Sequence, residues 1–240
     1  MDQPLDTKVA LVTGAGRGIG RATALALGRA GVRVVLAART GADVDAVAAE
    51  LASDGHHSLA IAADITSAVQ VASLVQAAVA EFGRLDILVN AAGIGSFRPF
   101  ADLTEAELRA MLEVNVIGTF LVSQAVAAEM AHSGGGLIVN LPGTAGRVPL
   151  ANGAAYCASK YALVGMSRAM ALDLRRAGVR VTLLYLGGVD TPFWDTANMR
   201  VQREKLLSPD DAARAVLYAV QQPLPGVLSE IVLQPESHQV

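Results

Sequence analysis

Tyr156 and Lys160 stand four residues apart in Tyr156-Cys157-Ala158-Ser159-Lys160, a spacing that puts both side chains on one face of a helix. An ammonium beside a phenol favours the phenolate and lowers its pKa, which makes the pair a proton donor and acceptor usable near neutrality. A second chemical group lies close to the N-terminus. Thr13-Gly14-Ala15-Gly16-Arg17-Gly18-Ile19-Gly20 follows an apolar run and opens a helix-like one. Glycines at such a turn let the main chain approach a pyrophosphate, which then rests on the positive end of the helix dipole. Tight turns also need glycine, but the position between strand and helix in the first βαβ unit marks a dinucleotide site.

The end of the second apolar run bears on which dinucleotide. NAD sites usually place Asp or Glu there to accept from the ribose 2′-hydroxyl. Here the residues are Ala37-Ala38-Arg39. Arg39, helped by Arg17, offers charge-assisted hydrogen bonds to a 2′-phosphate, so the expected cofactor is NADP(H). The plainer alternative is that both are ordinary surface arginines, arginine being the dominant cation of the chain.

These groups need a frame. Strand-length apolar runs at 8–13, 33–38, 58–63, 87–90, 137–141, 180–185 and 230–233 alternate with helix-like segments. Most are continuous β-branched or Leu-rich runs, as parallel strands covered on both faces require. Ser67-Ala68-Val69-Gln70 and Thr104-Glu105-Ala106-Glu107 read as capping boxes. Ser208-Pro209 reads as a helix entrance, with proline where no N–H is needed. Two long helices are expected at about 104–130 and 154–177, and Gly134-Gly135-Gly136 as a loop into the fifth strand. The β-α alternation implies right-handed crossovers and an α/β fold: a Rossmann-type doubly wound three-layer sandwich with a seven-stranded parallel sheet. No linker or repeat divides the chain, which reads as one domain over 1–240 with a substrate loop at about 190–207.

With 240 residues, 52% hydrophobic and 17% charged, the chain can bury one large core. A formal charge of −3 gives no electrostatic footprint for nucleic acid. Cys157 is the single cysteine and cannot form an internal disulfide. No apolar leader is visible, so a reducing, cytoplasmic setting is expected. The longest uncharged apolar stretch, 114–128, is too short to cross a bilayer and reads as a buried helix. His56, His57, His132 and His238 lack metal-ligand spacing, and no metal is expected.

In this order and spacing, the Thr13 to Gly20 loop, Asp64, Asn90-Ala91-Ala92-Gly93, Asn115, and Tyr156 with Lys160 make the chain resemble the short-chain dehydrogenase/reductase family over nearly its whole length. The resemblance implies a cofactor cradle of Gly14, Arg17, Gly18, Ile19, Gly20 and Arg39. Asp64 would bind the adenine amino group beside the Ile65 backbone, and Asn90, Ala91 and Gly93 would line the cofactor. Tyr156 would protonate or deprotonate the substrate oxygen. Lys160 would hold the nicotinamide ribose and tune Tyr156, and Asn115 would anchor a water feeding protons to Lys160. A polar group inside a long apolar helix also serves simply to cap or bend it, which is the other reading of Asn115.

Two departures matter. The family's active-site serine lies thirteen residues before the tyrosine, where this chain has Gly143 in Leu141-Pro142-Gly143-Thr144. Losing one transition-state donor costs about 3–4 kcal/mol. The neighbouring Thr144 hydroxyl or a bound water would have to replace it, and Gly143→Ser is expected to raise turnover. After the sixth strand, Leu186-Gly187 replaces the family's Pro-Gly. Val189 through its backbone and Thr191 through its hydroxyl still resemble a clamp on the nicotinamide carboxamide, or form a plain polar loop.

The implied function is NADP(H)-dependent interconversion of a small or medium alcohol and its ketone or aldehyde, as in a carbonyl reductase. The rival is a catalytically weakened member acting as an NADPH-binding sensor or partner subunit, because Gly143 replaces the serine. Family specificity resides in segments 94–100 and 192–207. Phe193, Trp194 and Met199 in the second either form an apolar lid or merely pack on the domain. Relatives pair through the two long helices, so a homodimer or homotetramer is expected, with no nucleic-acid or membrane partner.

Overall fold

Continuous Val, Ile and Leu runs are stable as strands only when both sheet faces are covered. The computed structural model, which describes residues 5–238, shows this arrangement. Its strands are β1 (Val9–Thr13), β2 (Arg33–Ala38), β3 (Ser58–Ala62), β4 (Ile87–Asn90), β5 (Gly136–Asn140), β6 (Val179–Leu186) and β7 (Glu230–Leu233). All pair in parallel in the order β3-β2-β1-β4-β5-β6-β7. The chain reverses direction across the sheet between β1 and β4, and such a switch point leaves a crevice at the strands' carboxyl ends. The register pairs Thr13 with Asn90 and Asn90 with Asn140, which sets three polar residues side by side at that end.

The helices are α1 (Gly18–Arg29), α2 (Gly41–Ser53), α3 (Ala68–Phe82), α4 (Glu105–Leu112), α5 (Thr119–His132), α6 (Ala154–Asp173), the single turn α7 (Phe193–Thr196) and α8 (Pro209–Val220). Alternate strand residues feed the two faces. Ala10, Val12 and Leu36 pack with Leu25 and Leu27 of α1 and Val216 of α8. Leu11, Val35 and Leu88 pack with Leu74 of α3 and Val122 and Val126 of α5.

Thr104 forms the full capping box with Glu107. Ser208 forms one with Asp211, with Pro209 inside the first turn. Ser67 does not. It accepts from the Gln70 N–H, but the Gln70 side chain turns instead to the Asp64 N–H at 2.9 Å. Gln70 thereby braces the loop carrying Asp64, which explains why the box is left half made.

The first long helix runs unbroken from Glu105 to His132, with its middle, Glu113–Gly118, wound as a π turn. By length and mean hydropathy it passes for a membrane span, but its apolar character is accounted for by Val122, Val126 and Met130, which are wholly buried in the core. The second ends as an α-helix at Asp173 and continues as a 3-10 turn over Arg175–Ala177. The Gly134-Gly135 turn leads into β5, which begins at Gly136 itself.

Candidate active site

At the carboxyl end of β1, the buried Thr13 hydroxyl accepts from the Ala92 N–H at 3.2 Å and ties the glycine loop to the turn after β4. Gly14 follows with φ +66°, and a Cβ there would lie 2.8 Å from the Ala92 nitrogen. Only glycine meets both conditions. No side chain caps α1: Arg17 occupies the N-cap in extended conformation without a side-chain hydrogen bond. The first-turn N–H groups, on Gly18, Ile19 and Gly20, are left for an anionic ligand. This cradle fits a pyrophosphate.

Toward the adenosine end, the Asp64 carboxylate accepts from the Thr66 N–H at 2.9 Å and its hydroxyl at 2.8 Å, both on one oxygen. Those bonds, Thr66 first, hold Asp64 below the usual carboxylate range, and the Arg39 guanidinium adds to the effect. The second oxygen remains for a donor such as an adenine amine. Ile65 is buried, its side chain packed where a Cβ on Gly118 would sit, so its position is fixed by the π turn. Arg17 and Arg39 are exposed, and neither side chain makes a salt bridge or hydrogen bond to a described residue. One acid was missed. Asp43, in the first turn of α2, has its Cβ 2.6 Å from where a Cβ on Gly16 would fall. A search confined to the end of the second strand cannot find it, because it lies on the following helix.

Lys160 and Tyr156 share one face of α6, with the ammonium 5.6 Å from the phenol ring centroid. Lys160 is 7% exposed, and its Nζ donates to the Leu141 carbonyl at 3.0 Å. Burial pulls its pKa down to about 8. The half-buried Tyr156 moves the other way from the expectation: burial pushes the phenol up, and Cys157 acts in the same direction. Desolvation therefore outweighs the neighbouring ammonium, and Tyr156 stands protonated at neutral pH.

Asn115 lies fully buried in the π turn. Its amide accepts from the Ile94 N–H and donates to the Ile94 carbonyl and to the Ser159 hydroxyl, each at 2.9 Å. Ser159 in turn donates to the Tyr156 carbonyl at 2.7 Å. A Cβ on Gly93 would lie 3.2 Å from the Asn115 oxygen and 3.7 Å from Lys160 Nζ, so the three residues converge. Beneath them Asn90 donates to Ser123 and to Asn140, and Asn140 donates to Ser167. Of this buried network the sequence reading found Asn90 and Asn115 but not Asn140, Ser123, Ser159 or Ser167. Isolated serines on apolar helices carry no spacing that would single them out.

Gly143 takes φ +67° and ψ 174°, a region essentially restricted to glycine. A Cβ would find room, with only the Leu186 carbonyl at 3.4 Å, so the obstacle to serine is backbone strain and not crowding. The expected gain from Gly143→Ser is corrected accordingly: the hydroxyl would be added to a backbone that side chains resist. Thr144 opens a 3-10 turn, Thr144–Gly146.

On the other wall, Thr191 is buried with its methyl 3.2 Å from where a Gly18 Cβ would sit. The Val189 carbonyl accepts from the Trp194 indole at 2.8 Å. Tyr156, Phe97, Phe193 and Trp194 form one cluster of four aromatic rings. Phe97 and Phe193 lie 5.5 and 5.7 Å from Tyr156, centroid to centroid, and Trp194 lies 6.3 Å from Phe97 and 5.2 Å from Phe193. Phe193 and Trp194 thus belong to the site. Met199 is exposed. Phe97 was inside the expected specificity segment but not singled out. Its N–H donates to the Ala197 carbonyl at 3.0 Å and joins the two segments. Arg203 fastens the second one by bridging Asp190 at 3.0 Å and Asp195.

A family model described as short chain dehydrogenase matches residues 8–202. The chain is similar to D-threitol dehydrogenase of Mycolicibacterium smegmatis, 38% identical over 226 residues, 90% of this chain and 87% of that one. It is similar to sepiapterin reductase of Chlorobaculum tepidum, 35% identical over 236 residues, covering 95% and 96%. Among solved structures, a metagenomic short-chain oxidoreductase in complex with NADP superimposes with a TM-score of 0.85 at 36% identity, covering 97% of this chain and 99% of that one.

Proposed function

The chain belongs to the short-chain dehydrogenase family of oxidoreductases, and from that premise we propose that it is an NADP(H)-dependent enzyme interconverting a small or medium alcohol and its ketone or aldehyde. The observation that carries this reading is the convergence of Tyr156, Lys160, Asn115 and Gly93 at the sheet's switch point, beside an uncapped helix N-terminus. NADP(H) is preferred over NAD(H) because Arg17 and Arg39 are exposed and neither side chain is ion-paired to a described residue, although one acid, Asp43, lies beside Gly16 of the loop.

When bound, the nicotinamide supplies hydride to a carbonyl carbon or accepts it from an alcohol carbon. Tyr156, held protonated by burial, donates its hydroxyl proton to the carbonyl oxygen as the C=O becomes C–O, and takes a proton back in the reverse direction. Lys160, titrating at about 8, exchanges protons near neutrality and would hold the nicotinamide ribose. Asn115 fixes the Ile94 backbone and, through Ser159, the turn of α6 that carries Tyr156. Val189 and Thr191 would clamp the carboxamide. The same reading sets the protein in the cytoplasm as a homodimer or homotetramer, supported by the exposed apolar Ile117, Phe120 and Tyr161 on the two long helices.

Gly143 favours the second reading, a weakened member that binds NADPH as a sensor or subunit. One experiment separates the two. NADPH oxidation is followed spectrophotometrically against ketones, aldehydes and quinones, alongside dissociation constants for NADPH and NADH. The expected result is turnover with tighter NADPH binding, abolished by Tyr156→Phe while NADPH affinity stays within a few-fold. NADPH binding with no turnover on any carbonyl establishes the second reading, and tighter NADH binding overturns the cofactor assignment.

A further inference from the structure

Four rings make one slot, and its walls differ in how firmly they are held. Phe97 is 5% exposed, and main-chain hydrogen bonds flank it: its own N–H to Ala197 and the Arg98 N–H to Asn152. Trp194 is pinned through its indole N–H to the Val189 carbonyl. The planes of these two rings lie 23° apart, close to parallel. Tyr156, on α6, forms the floor. Phe193 has no polar anchor for its ring. It sits on the bare backbone of Gly95, where a Cβ would meet the ring at 2.4 Å, and against the Tyr156 ring.

We infer that Phe193 occupies the place of the substrate's own ring, and that the substrate class is a compact, uncharged aryl alcohol or aryl ketone. This rests on the oxidoreductase reading and makes it specific. A rotation of Phe193 away from Gly95 leaves a space of one benzene ring, bounded by Phe97, Trp194, Tyr156 and the Gly95 backbone. A ring seated there reproduces the tilted and edge-on contacts that Phe193 makes with Tyr156 and Trp194. It leaves a carbonyl carried on that ring beside the Tyr156 phenol. The cation beside the aromatic cluster is the buried Lys160, 5.6 Å from the Tyr156 ring centroid, and the Leu141 carbonyl engages it. Arg203, one of the cations of the 192–207 segment, is engaged by Asp190 and Asp195. A phosphate or carboxylate in the slot would therefore have to compete with the groups that already engage these two cations.

Trp194 is the single tryptophan of the chain, so its emission reports the slot directly. The test titrates the protein, with and without NADP+, with 1-phenylethanol and with hexan-2-ol, following Trp194 emission and NADPH formation. The expected result is a saturable emission change with 1-phenylethanol at about tenfold lower concentration than with hexan-2-ol, from the added ring contacts. Two variants move in opposite directions. Phe193→Ala removes the competing ring and tightens 1-phenylethanol several-fold. Gly95→Ala puts a methyl into the slot and weakens it, without a strained backbone. Equal responses to the two alcohols, or unchanged 1-phenylethanol binding in both variants, overturn the inference. Preferred turnover of hexan-2-ol sinks it while leaving the oxidoreductase reading standing. Ring-selective binding with no turnover of either alcohol supports it and sinks that reading.

Discussion

By the family resemblance a hydroxyl is expected at the position of Gly143, and the backbone there explains why a simple exchange would not restore one. At φ +67° and ψ 174°, any side chain costs about 1–3 kcal/mol in strain. Gly143→Ser is therefore expected to lower unfolding free energy by about that amount without raising kcat/KM. Gly143→Ala should show the same loss, since the cause is the Cβ and not the hydroxyl. Urea melts and steady-state kinetics on both variants check this, and a gain in turnover with serine alone would show that the loop relaxes to accept it. The pairing of Tyr156 with Lys160 was readable from spacing, whereas Asn115 and Gly143 stood out only through the family resemblance. The ionisation of the pair was not readable. Spacing says that an ammonium and a phenol are neighbours, whereas the raised phenol follows from desolvation, which no spacing reveals.

Among the elements, the π turn at Glu113–Gly118 is the one whose purpose the sequence hides. A stretch of apolar residues with one Asn reads as a continuous α-helix, and hydrophobic periodicity does not distinguish a local widening. The structure gives the widening a reason. Asn115 satisfies both the N–H and the C=O of Ile94, which has left β4 and has no ladder partner. Asn115→Ala would leave those groups unpaired in a partly buried setting, at a cost on the order of 1–3 kcal/mol. The expected outcome is that loss in a denaturant melt, together with faster hydrogen exchange at the Ile94 amide. An unchanged Ile94 exchange rate would mean that the loop is held elsewhere. Strand positions, by contrast, were readable to within a residue or two because seven apolar runs have few other ways to be buried.

For the whole molecule, the buried Lys160 couples folding to pH. Its pKa is about 8 in the fold against 10.5 as the ordinary value, so between these limits the unfolded chain binds more protons than the folded one. Stability contributed by this group therefore rises with pH through that window, steepest at about 1.4 kcal/mol per unit. Thermal or urea melts of the nucleotide-free protein should show wild type gaining on Lys160→Met between pH 8 and 10, by an amount on the order of 2–3 kcal/mol. Parallel curves would mean that the ammonium is better solvated than its 7% exposure implies. The sheet order and the site's place in the switch-point crevice follow from chain topology and were foreseeable. Which side chains meet across the crevice was not, because segments 94–100 and 192–207 obey no period. The main-chain bond from the Phe97 N–H to the Ala197 carbonyl joins these two segments into one unit. Exchanging one of them with a relative, to borrow its selectivity, would cut that link and scramble both; a productive chimera has to inherit the pair.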